Sequence, residues 1–466
     1  MKRFCLIDVV GLTPRLIGEH TPCIRALAQL HGARPLRGVL PAVTLPAQAT
    51  MLTGQMPSAH GIVGNGWLYR ETMEIRFWQQ ARNLLHGETI YEEARRRARQ
   101  RGKIFLGAHV FWWFGQGMAA DWTLLPKPWY GCDGDKRFAI ASTPPDLAAE
   151  AESALGPFPF FAFWGPTAGL AASKWLAEAG AWLMRMRKPD LTLIYLPHLD
   201  YDLQRRGVVA NGVLAPGTVK ALGEVDECVR ILATAAEKIG AGIGVVSEYG
   251  LTDVSRPIYL NRRLRENGLL VVRNGPFGEM LDVFHSHAFA VADHQVAHIY
   301  VRDEGEYERV RRLLGKEPGV AEILDKNGQR SWGLAHERSG DLVALSERDA
   351  WFAYPYWLEE KHAPDFAATV DIHRKPGYDP CELFFAPGLA GGRSRLAWRL
   401  LQKRLGFRTR FDVIPLDAAL VRGSHGLPPI SDDDGPVFIT TAHAPPRNMA
   451  MTDIKDYVLA ALDLAD

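Results

Sequence analysis

The sequence has few cysteines, and no two of them form a closely spaced pair. There are five in 466 residues, without a Cys-x-x-Cys spacing. An odd number of scattered cysteines in a long chain argues against a disulfide framework and against a thiolate zinc site. We therefore expect a reducing compartment and a cytoplasmic protein. The cysteines are Cys5, Cys23, Cys132, Cys228 and Cys381.

Long apolar runs and an excess of one charge are also missing, and we expect no signal peptide. No apolar stretch reaches the roughly 20 residues that a membrane span requires, and the first residues lack the charged, apolar and cleavage regions of a signal peptide. Lysine and arginine total 54, against 53 aspartate and glutamate residues. With that balance we expect neither a nucleic acid polymer nor a membrane as partner. An anionic ligand must then be held locally.

Two common chemistries of α/β proteins lack their motifs here. The chain contains neither a P-loop nor a Gly-x-Ser-x-Gly nucleophile elbow, which excludes the usual forms of both. The segment Gly240-Ala-Gly-Ile-Gly244 has the composition of a dinucleotide loop. It follows a predicted helix and precedes a predicted strand, however, which is the reverse of the order that cradling a pyrophosphate requires.

Short apolar segments that end in polar or glycine-rich turns predict the buried strands of a mostly parallel sheet. Between two of them, Val219, Leu222, Val225 and Val229 recur every three or four residues, and Gly240 ends this amphipathic helix. The alternation of strand and helix predicts an α/β sandwich. The predicted strands are residues 4–7, 103–106, 191–196, 243–246 and 437–440.

The order of the predicted elements changes after residue 255. Strand-like residues 297–301, helix-like residues 306–314 and strand-like residues 341–345 follow one another there. This order predicts a small inserted α+β cap over residues 256–364. Residues 1–255 and 365–466 would then form the catalytic core.

Three acidic residues follow predicted strands: Asp8, Asp200 and Glu248. In an open α/β sheet, ligands bind beyond the carboxyl ends of the strands. Asp8 taken alone could equally cap a helix or a turn, but three acids at one edge favour a metal site. His425 lies in a glycine-flanked turn before the last core strand, and we consider it a candidate ligand of that site.

Thr44 lies at the start of a predicted short helix. Pro46 suits the first turn of that helix, and Gly54 suits its end. The exposed amides and the dipole of a helix start favour an anion, so a phosphate could lie within reach of the Thr44 hydroxyl. Asn65, in Gly64-Asn-Gly66, has by itself the composition of a turn.

The stretch Thr44-Leu-Pro-Ala-Gln-Ala-Thr-Met-Leu-Thr-Gly-Gln-Met-Pro-Ser-Ala-His-Gly-Ile62 resembles a family motif. It is similar to the Thr-Phe-Pro-Asn, Thr-Gly and His-Gly-Ile segments of the nucleotide pyrophosphatase/phosphodiesterase branch of the alkaline phosphatase superfamily. The resemblance implies an alkaline-phosphatase-like sandwich. It also implies a metal-dependent hydrolase of phosphodiester or pyrophosphate bonds with Thr44 as nucleophile, through a phosphothreonine, and with Asn65 holding a phosphoryl oxygen.

The same resemblance implies a set of metal ligands. Asp8 takes the position of the first ligand, whereas Asp200 and His425 look like ligands of the other metal. The positions implied for metal binding are Asp8, Thr44, Asp200, Gln204, Glu248, Tyr249 and His425.

Three of these positions depart from the family pattern. Gln204 stands where the family has histidine, and Glu248 and Tyr249 stand where it has aspartate and histidine. Two imidazoles are lost and oxygen ligands dominate, which favours harder or more weakly held ions. We expect one or two divalent metal ions, zinc or manganese first, with magnesium or calcium as alternatives.

Two further functions stay open beside hydrolysis. A phosphotransferase or mutase acting on a small-molecule phosphate would keep the phosphothreonine and pass the group to another alcohol. A ligand-binding protein that has lost hydrolysis would explain the three departures. In each case we expect a small organic phosphate ester as the ligand, and the oligomeric state is left open.

Other side chains could line the site, although each is more often structural. Asp371 and His373 alternate with apolar residues, as on a strand. The aromatic cluster that begins at Phe111 either stacks a ring or packs as a small core. The remaining candidates are His198, Asp202, Asp293, His294, Arg374 and Lys375, and the cluster comprises Phe111, Trp112, Trp113, Phe114, Trp122, Trp129 and Tyr130.

Overall fold

A nine-stranded sheet runs through the computed structural model, which describes residues 1–132, 136–210, 212–387, 392–405, 407 and 409–465. Five adjacent strands in the middle are parallel, and the outer strands are mixed. This arrangement confirms the predicted α/β class with a mostly parallel sheet. Across the sheet, the strands are Met449–Ala450, Arg34–Arg37, Val437–Thr440, Ala241–Val246, Arg3–Val9, Leu191–Leu196, Gly107–Val110, Trp122–Pro126 and Ile140–Thr143.

Two of the predicted strands need correction. Residues 103–106 are not a strand, and the sheet instead contains Gly107–Val110, which pairs with Leu191–Leu196. Ile104 is 81% exposed, so the apolar run before Gly107 does not lie within the sheet. Val437–Thr440 is a strand, as predicted, but it runs antiparallel to its neighbour Ala241–Val246. An apolar run indicates burial and carries no information about strand direction.

Helices cover both faces of the sheet, as the sandwich prediction requires. One face packs against Leu170–Arg187 and Pro216–Lys238, and the other against Thr44–Thr53 and Ile454–Ala461. Within the described ranges, no helix is both long and apolar enough to cross a membrane. The helices are Pro22–Ala28, Thr44–Thr53, Pro57–His60, Ile90–Gln100, Leu147–Leu155, Leu170–Arg187, His198–Arg206, Pro216–Lys238, Leu260–Glu266, Tyr307–Leu314, Lys326–Ser331, Gly392–Arg404 and Ile454–Ala461.

A second, antiparallel sheet lies within the segment predicted as a cap. Its four strands, in order across the sheet, are Ala288–Asp293, Val296–Val301, Leu342–Ser346 and Val320–Leu324. The division into a core of residues 1–255 and 365–466 and a cap of residues 256–364 stays a prediction. The first strand of this sheet ends at Asp293, which reaches the candidate site.

Short two-stranded pairings complete the fold and lie mostly in the loops that surround the sheets. These pairs are Gly66–Tyr69 with Glu74–Phe77, Trp129–Tyr130 with Lys136–Arg137, Val209–Ala210 with Val213–Leu214, Thr252–Asp253 with Gly423–Ser424, Arg256–Ile258 with Ala350–Phe352, and Val272–Gly275 with Gly278–Leu281.

Candidate active site

The three predicted acids lie together at the carboxyl edge of adjacent strands. Asp8 pairs in register with Tyr195 on one neighbouring strand and with Val246 on the other. Glu248 follows Val246 by two residues, and Asp200 lies in the first turn of the helix that follows Leu191–Leu196. All three carboxylates are buried. The sheet register therefore brings residues that are far apart in the sequence into one buried acidic site.

Thr44 is the first residue of the helix Thr44–Thr53, directly after the extended residue Val43. The helix ends at Gly54, whose φ of 70° suits glycine. The Thr44 hydroxyl lies 3.1 Å from the Tyr249 hydroxyl and is buried. The predicted helix start thus points its hydroxyl toward the segment that carries Glu248.

Asn65 lies beside the same helix start. Its Oδ1 accepts a hydrogen bond from the backbone N–H of Leu45 at 3.0 Å. Its side-chain amide and its backbone N–H donate to the two carboxylate oxygens of Asp293, at 3.1 and 2.7 Å. Asp293 therefore fixes Asn65 from the second sheet. One hydrogen of the Asn65 amide stays available for a ligand, because a primary amide has two.

Gln48 is a site residue that the sequence analysis did not select. Its Nε2 donates to Glu248 Oε1 at 2.7 Å and to Asp8 Oδ2 at 3.2 Å. Its Oε1 accepts from the backbone N–H of Trp113 at 2.7 Å. Its spacing from Thr44 could have indicated its position in the site, because a residue four positions after Thr44 lies on the same face of the helix.

Asp200 and Gln204 are also four residues apart on one helix. Gln204 Nε2 donates to Asp200 Oδ2 at 2.7 Å. Gln204 Oε1, the atom with which a glutamine would bind a metal ion, accepts from the Tyr378 hydroxyl at 2.8 Å. In this arrangement Gln204 supports Asp200, and the predicted role of Gln204 as a ligand stays a prediction.

His425 faces Asp200 with one ring nitrogen. Its Nδ1 lies 2.8 Å from the carbonyl oxygen of Ala42, so it carries the proton and donates it there. Its Nε2 lies 3.9 Å from Asp200 Oδ1 and keeps its lone pair. A backbone carbonyl that fixes one ring nitrogen in this way is the usual support of a metal-binding histidine.

Four rings form a continuous stack through the site. The ring centroids of Tyr249 and His425 are 3.6 Å apart, those of His425 and His294 are 3.6 Å apart, and those of His294 and Tyr378 are 3.8 Å apart. The stack runs from Tyr249, whose hydroxyl contacts Thr44, to Tyr378, whose hydroxyl donates to Gln204. His294, which the sequence analysis weighed as an additional site residue, is one of the inner rings.

Burial dominates the protonation of the site. Burial raises the pKa of Asp8 well above its ordinary value, and the nearby charge of Glu248 adds to the effect. Burial likewise raises the pKa of Asp200 to about 8, raises that of Glu248, and lowers that of His425 to about 3. Without a cation, these acids therefore hold protons more strongly than usual, and the imidazole is neutral.

His198 and Asp202 lie on the other face of the helix from Asp200 and Gln204. His198 Nε2 is 2.8 Å from Glu224, and Asp202 contacts Arg206 at 3.4 Å. Within the part of the chain that the structure describes, one group of three acidic or histidine side chains places a ligand atom of each member within 4.8 Å of the others. That group comprises His198, Asp202 and Glu224. His198 and Asp202 therefore belong to a cluster on the opposite face of this helix from Asp200 and Gln204.

The predicted strand at residues 371–373 is wrong, because these residues form turns. The backbone N–H of Asp371 donates to Glu382. Lys375 is buried and contacts the carboxylates of Asp379 and Glu382, each at 2.7 Å. Arg374 binds Asp365 at 3.2 Å. Arg374 and Lys375 therefore both form ion pairs with nearby carboxylates.

The aromatic cluster divides into a buried part and an exposed part. Phe111 to Phe114 directly follow the strand Gly107–Val110 and are buried. Their burial supports the interpretation that they pack as a small core. Trp129 and Tyr130 are mostly exposed and lie in a short hairpin.

A cavity of about 700 Å³ opens at the same edge of the sheet. Glu248 and Tyr249 form part of its wall, and Arg37, Arg348 and Arg447 line it as well. The lining carries charges of both signs, since Asp253, Asp432 and Asp453 also belong to it. The cavity gives access to Tyr249, whose hydroxyl contacts Thr44.

The sequence model of the family described as type I phosphodiesterase/nucleotide pyrophosphatase matches residues 4–379. That range includes Asp8, Thr44, Asn65, Asp200 and Glu248, whereas His425 and the cavity residue Arg447 lie beyond it. No curated protein matches the chain significantly.

Solved structures of similar fold cover nearly the whole chain. Phosphonoacetate hydrolase from Sinorhizobium meliloti, in complex with phosphonoformate, has a TM-score of 0.60 and 17% identity, over 99% of this chain and 96% of that chain. Murine ectonucleotide pyrophosphatase/phosphodiesterase 5, an inactive form in complex with AMP, has a TM-score of 0.60 and 14% identity, and the match covers 100% of this chain and 96% of that chain. Its human counterpart has a TM-score of 0.57 and 15% identity, and the match covers 99% of this chain and 95% of that chain. At these identities the likeness establishes the fold.

Proposed function

The chain belongs to the type I phosphodiesterase/nucleotide pyrophosphatase family, and on that premise we propose that it is a metal-dependent hydrolase in which Thr44 attacks phosphorus. Membership makes it an enzyme of phosphodiester or pyrophosphate hydrolysis within the alkaline phosphatase superfamily. The observation that carries the proposed mechanism is a set of three buried carboxylate oxygens, contributed by the acids at this edge of the sheet, that have no hydrogen-bond partner. These atoms are Asp8 Oδ1, Asp200 Oδ1 and Glu248 Oε2.

These orphaned oxygens fit divalent cations. A buried carboxylate is stable in its charged form only with a cation or with hydrogen bonds. Asp8 and Glu248, with the hydroxyl oxygens of Thr44 and Tyr249, would hold one ion. Asp200 and His425 would hold another. Bound cations would lower the pKa of the Thr44 hydroxyl and neutralise charge on the transferred phosphoryl group.

The chain's own residues supply the rest of the reaction. As the Thr44 hydroxyl attacks, its oxygen forms a bond to phosphorus, the bond from phosphorus to the leaving oxygen breaks, and the hydroxyl proton ends on the departing group. The remaining hydrogen of the Asn65 amide donates to a phosphoryl oxygen. Water then attacks the phosphothreonine and restores the Thr44 hydroxyl.

The proposed substrate is a small organic phosphate ester. The cavity beside Tyr249 has room for such a molecule, and within a lining of both acidic and basic side chains Arg37, Arg348 and Arg447 would contact its anionic groups. Similar folds are known in complex with AMP and with phosphonoformate, which are both small phosphorus compounds. A cytoplasmic location stays a prediction, and so does the identity of the metal.

Turnover of bis(p-nitrophenyl) phosphate tests the proposal. Protein stripped by a chelator is supplied separately with zinc, manganese, magnesium or calcium. We expect activity to depend on the metal and to fall by about 10³-fold or more in Thr44→Ala, because the nucleophile is removed.

The matched control is Thr53→Ala, which removes a buried hydroxyl at the other end of the same helix. We expect Thr53→Ala to keep its activity within about twofold. Equal activity of Thr44→Ala and wild type would reject Thr44 as nucleophile. Folded protein that is inactive with every metal would favour the transferase or the ligand-binding alternative.

A further inference from the structure

Glutamine amides divide the carboxylate oxygens of the site into two sets. Each of the three acids has one oxygen bound by an amide: Asp8 Oδ2 and Glu248 Oε1 by Gln48, and Asp200 Oδ2 by Gln204. The other oxygen of each acid is buried and has no partner. The amides thus select which oxygen of each acid is left for a cation.

The orientation of the Gln48 amide is fixed by its surroundings. The backbone N–H of Trp113 can only donate, so the atom that it approaches at 2.7 Å must be the Gln48 oxygen. The nitrogen then faces Asp8 and Glu248, and each of its two hydrogens meets one carboxylate. Gln48 is fully buried, so its amide does not reach solvent.

We propose that Gln48 is a positioning residue that presents Asp8 Oδ1 and Glu248 Oε2 to a divalent cation. This inference rests on the proposed metal-dependent function. A neutral amide between two acids binds one oxygen of each and fixes both side chains without adding charge to the site. Groups that orient metal ligands in this way strongly affect the affinity of the metal, and their replacement typically costs about 10–100-fold.

The test is Gln48→Leu, measured as manganese binding by equilibrium dialysis of the full chain and as the manganese-induced rise in Tm. We expect the affinity of one of the ions to fall about 10–100-fold, and the rise in Tm to shrink with it. The matched control is Gln329→Leu. Gln329 is also buried, and its amide donates to the carbonyl oxygens of Gly340 and Asp341 at 3.0 and 3.4 Å.

A purely structural role of Gln48 would lower the Tm of metal-free protein and leave the manganese affinity unchanged. That result would overturn the inference, as would an equal loss of affinity in Gln329→Leu. A gain of a bound ion in Gln48→Leu would overturn it too, because the amide would then be occupying the site of an ion. If Gln48→Leu does not fold, Gln48→Met supplies a flexible chain of similar volume for the same measurements.

The wild-type protein separates this inference from the proposed function. Wild type that binds no divalent cation would reject both. Wild type that binds manganese with an affinity equal to that of Gln48→Leu would reject only the role of Gln48.

Discussion

The two halves of the candidate site offer different donor atoms. The half around Thr44 contains only oxygens, from Asp8, Glu248 and the hydroxyls of Thr44 and Tyr249. The other half pairs one carboxylate, that of Asp200, with the free imidazole nitrogen of His425.

Under the proposed function, one sheet edge would hold a hard metal site and a softer metal site side by side. Oxygen donors suit manganese, magnesium or calcium, whereas imidazole suits zinc. The stack of Tyr249 on His425 lies at the boundary between the halves. We therefore expect the two halves to differ in metal preference.

The largest expected effect comes from removing the central acid of each half. Asp8→Asn should lose the ion of the oxygen-only half, and Asp200→Asn should lose the ion beside the imidazole. Each loss should lower turnover by about 10³-fold, because charge on the phosphoryl group is then unbalanced. Metal analysis of dialysed protein, together with turnover of bis(p-nitrophenyl) phosphate, measures both.

The control for these variants is Asp226→Asn. Asp226 is also buried, but it binds the backbone N–H groups of Cys23 and Ile24, away from the site. We expect its metal content to match that of wild type. Loss of the same ion in Asp8→Asn and Asp200→Asn would show that the two halves form a single site, and the comparison between them would then fail.

A smaller effect should follow from making the halves more alike. Gln204→His, and separately Tyr249→His combined with Glu248→Asp, restore the residues of the family pattern. Each change adds an imidazole donor, so we expect the preference for zinc over manganese to rise by on the order of tenfold. Competition dialysis with both metals measures this ratio. Unchanged ratios in both variants would mean that these positions do not contact the ions.

Most of the framework of the site could be predicted from the sequence. Thr44 carries a specific motif, and Asp8, Asp200 and Glu248 carry the pattern of an acid that follows a strand. Such signals are local, so a single sequence contains them. For the same reason the helix predicted from Val219, Leu222, Val225 and Val229 is correct. The direction of Val437–Thr440 was not predictable from its apolar residues.

The supports of the site could not be predicted because their partners are distant in the sequence. Tyr378 and Gln204 are 174 residues apart, and Asp293 and Asn65 are 228 residues apart. Tyrosine and histidine side chains occur both in the core and at the surface, so nothing local marks the stack of four rings. Only the fold brings these residues together.

The smallest expected effect concerns Asp293, a buried acid that belongs to neither half. Burial raises the pKa of Asp293 to about 7, while an unfolded aspartate has a pKa of about 3.9. Between these values the folded protein binds more protons than the unfolded chain, so the free energy of unfolding falls as pH rises. Replacing Asp293 by asparagine removes this contribution and keeps an oxygen that can accept from Asn65.

The measurement is the free energy of unfolding in urea for metal-free wild type and Asp293→Asn, between about pH 5 and pH 7. Buried His60 and His425, whose pKa values are lowered to about 3, act in the opposite sense below pH 6.5, but they contribute equally to both proteins. We therefore expect wild type to lose stability relative to the variant by up to about 1.4 kcal/mol per pH unit. A difference that does not change with pH would mean that Asp293 keeps its charge next to Asn65. The two hydrogen bonds from Asn65 would then outweigh the effect of burial on the pKa of Asp293.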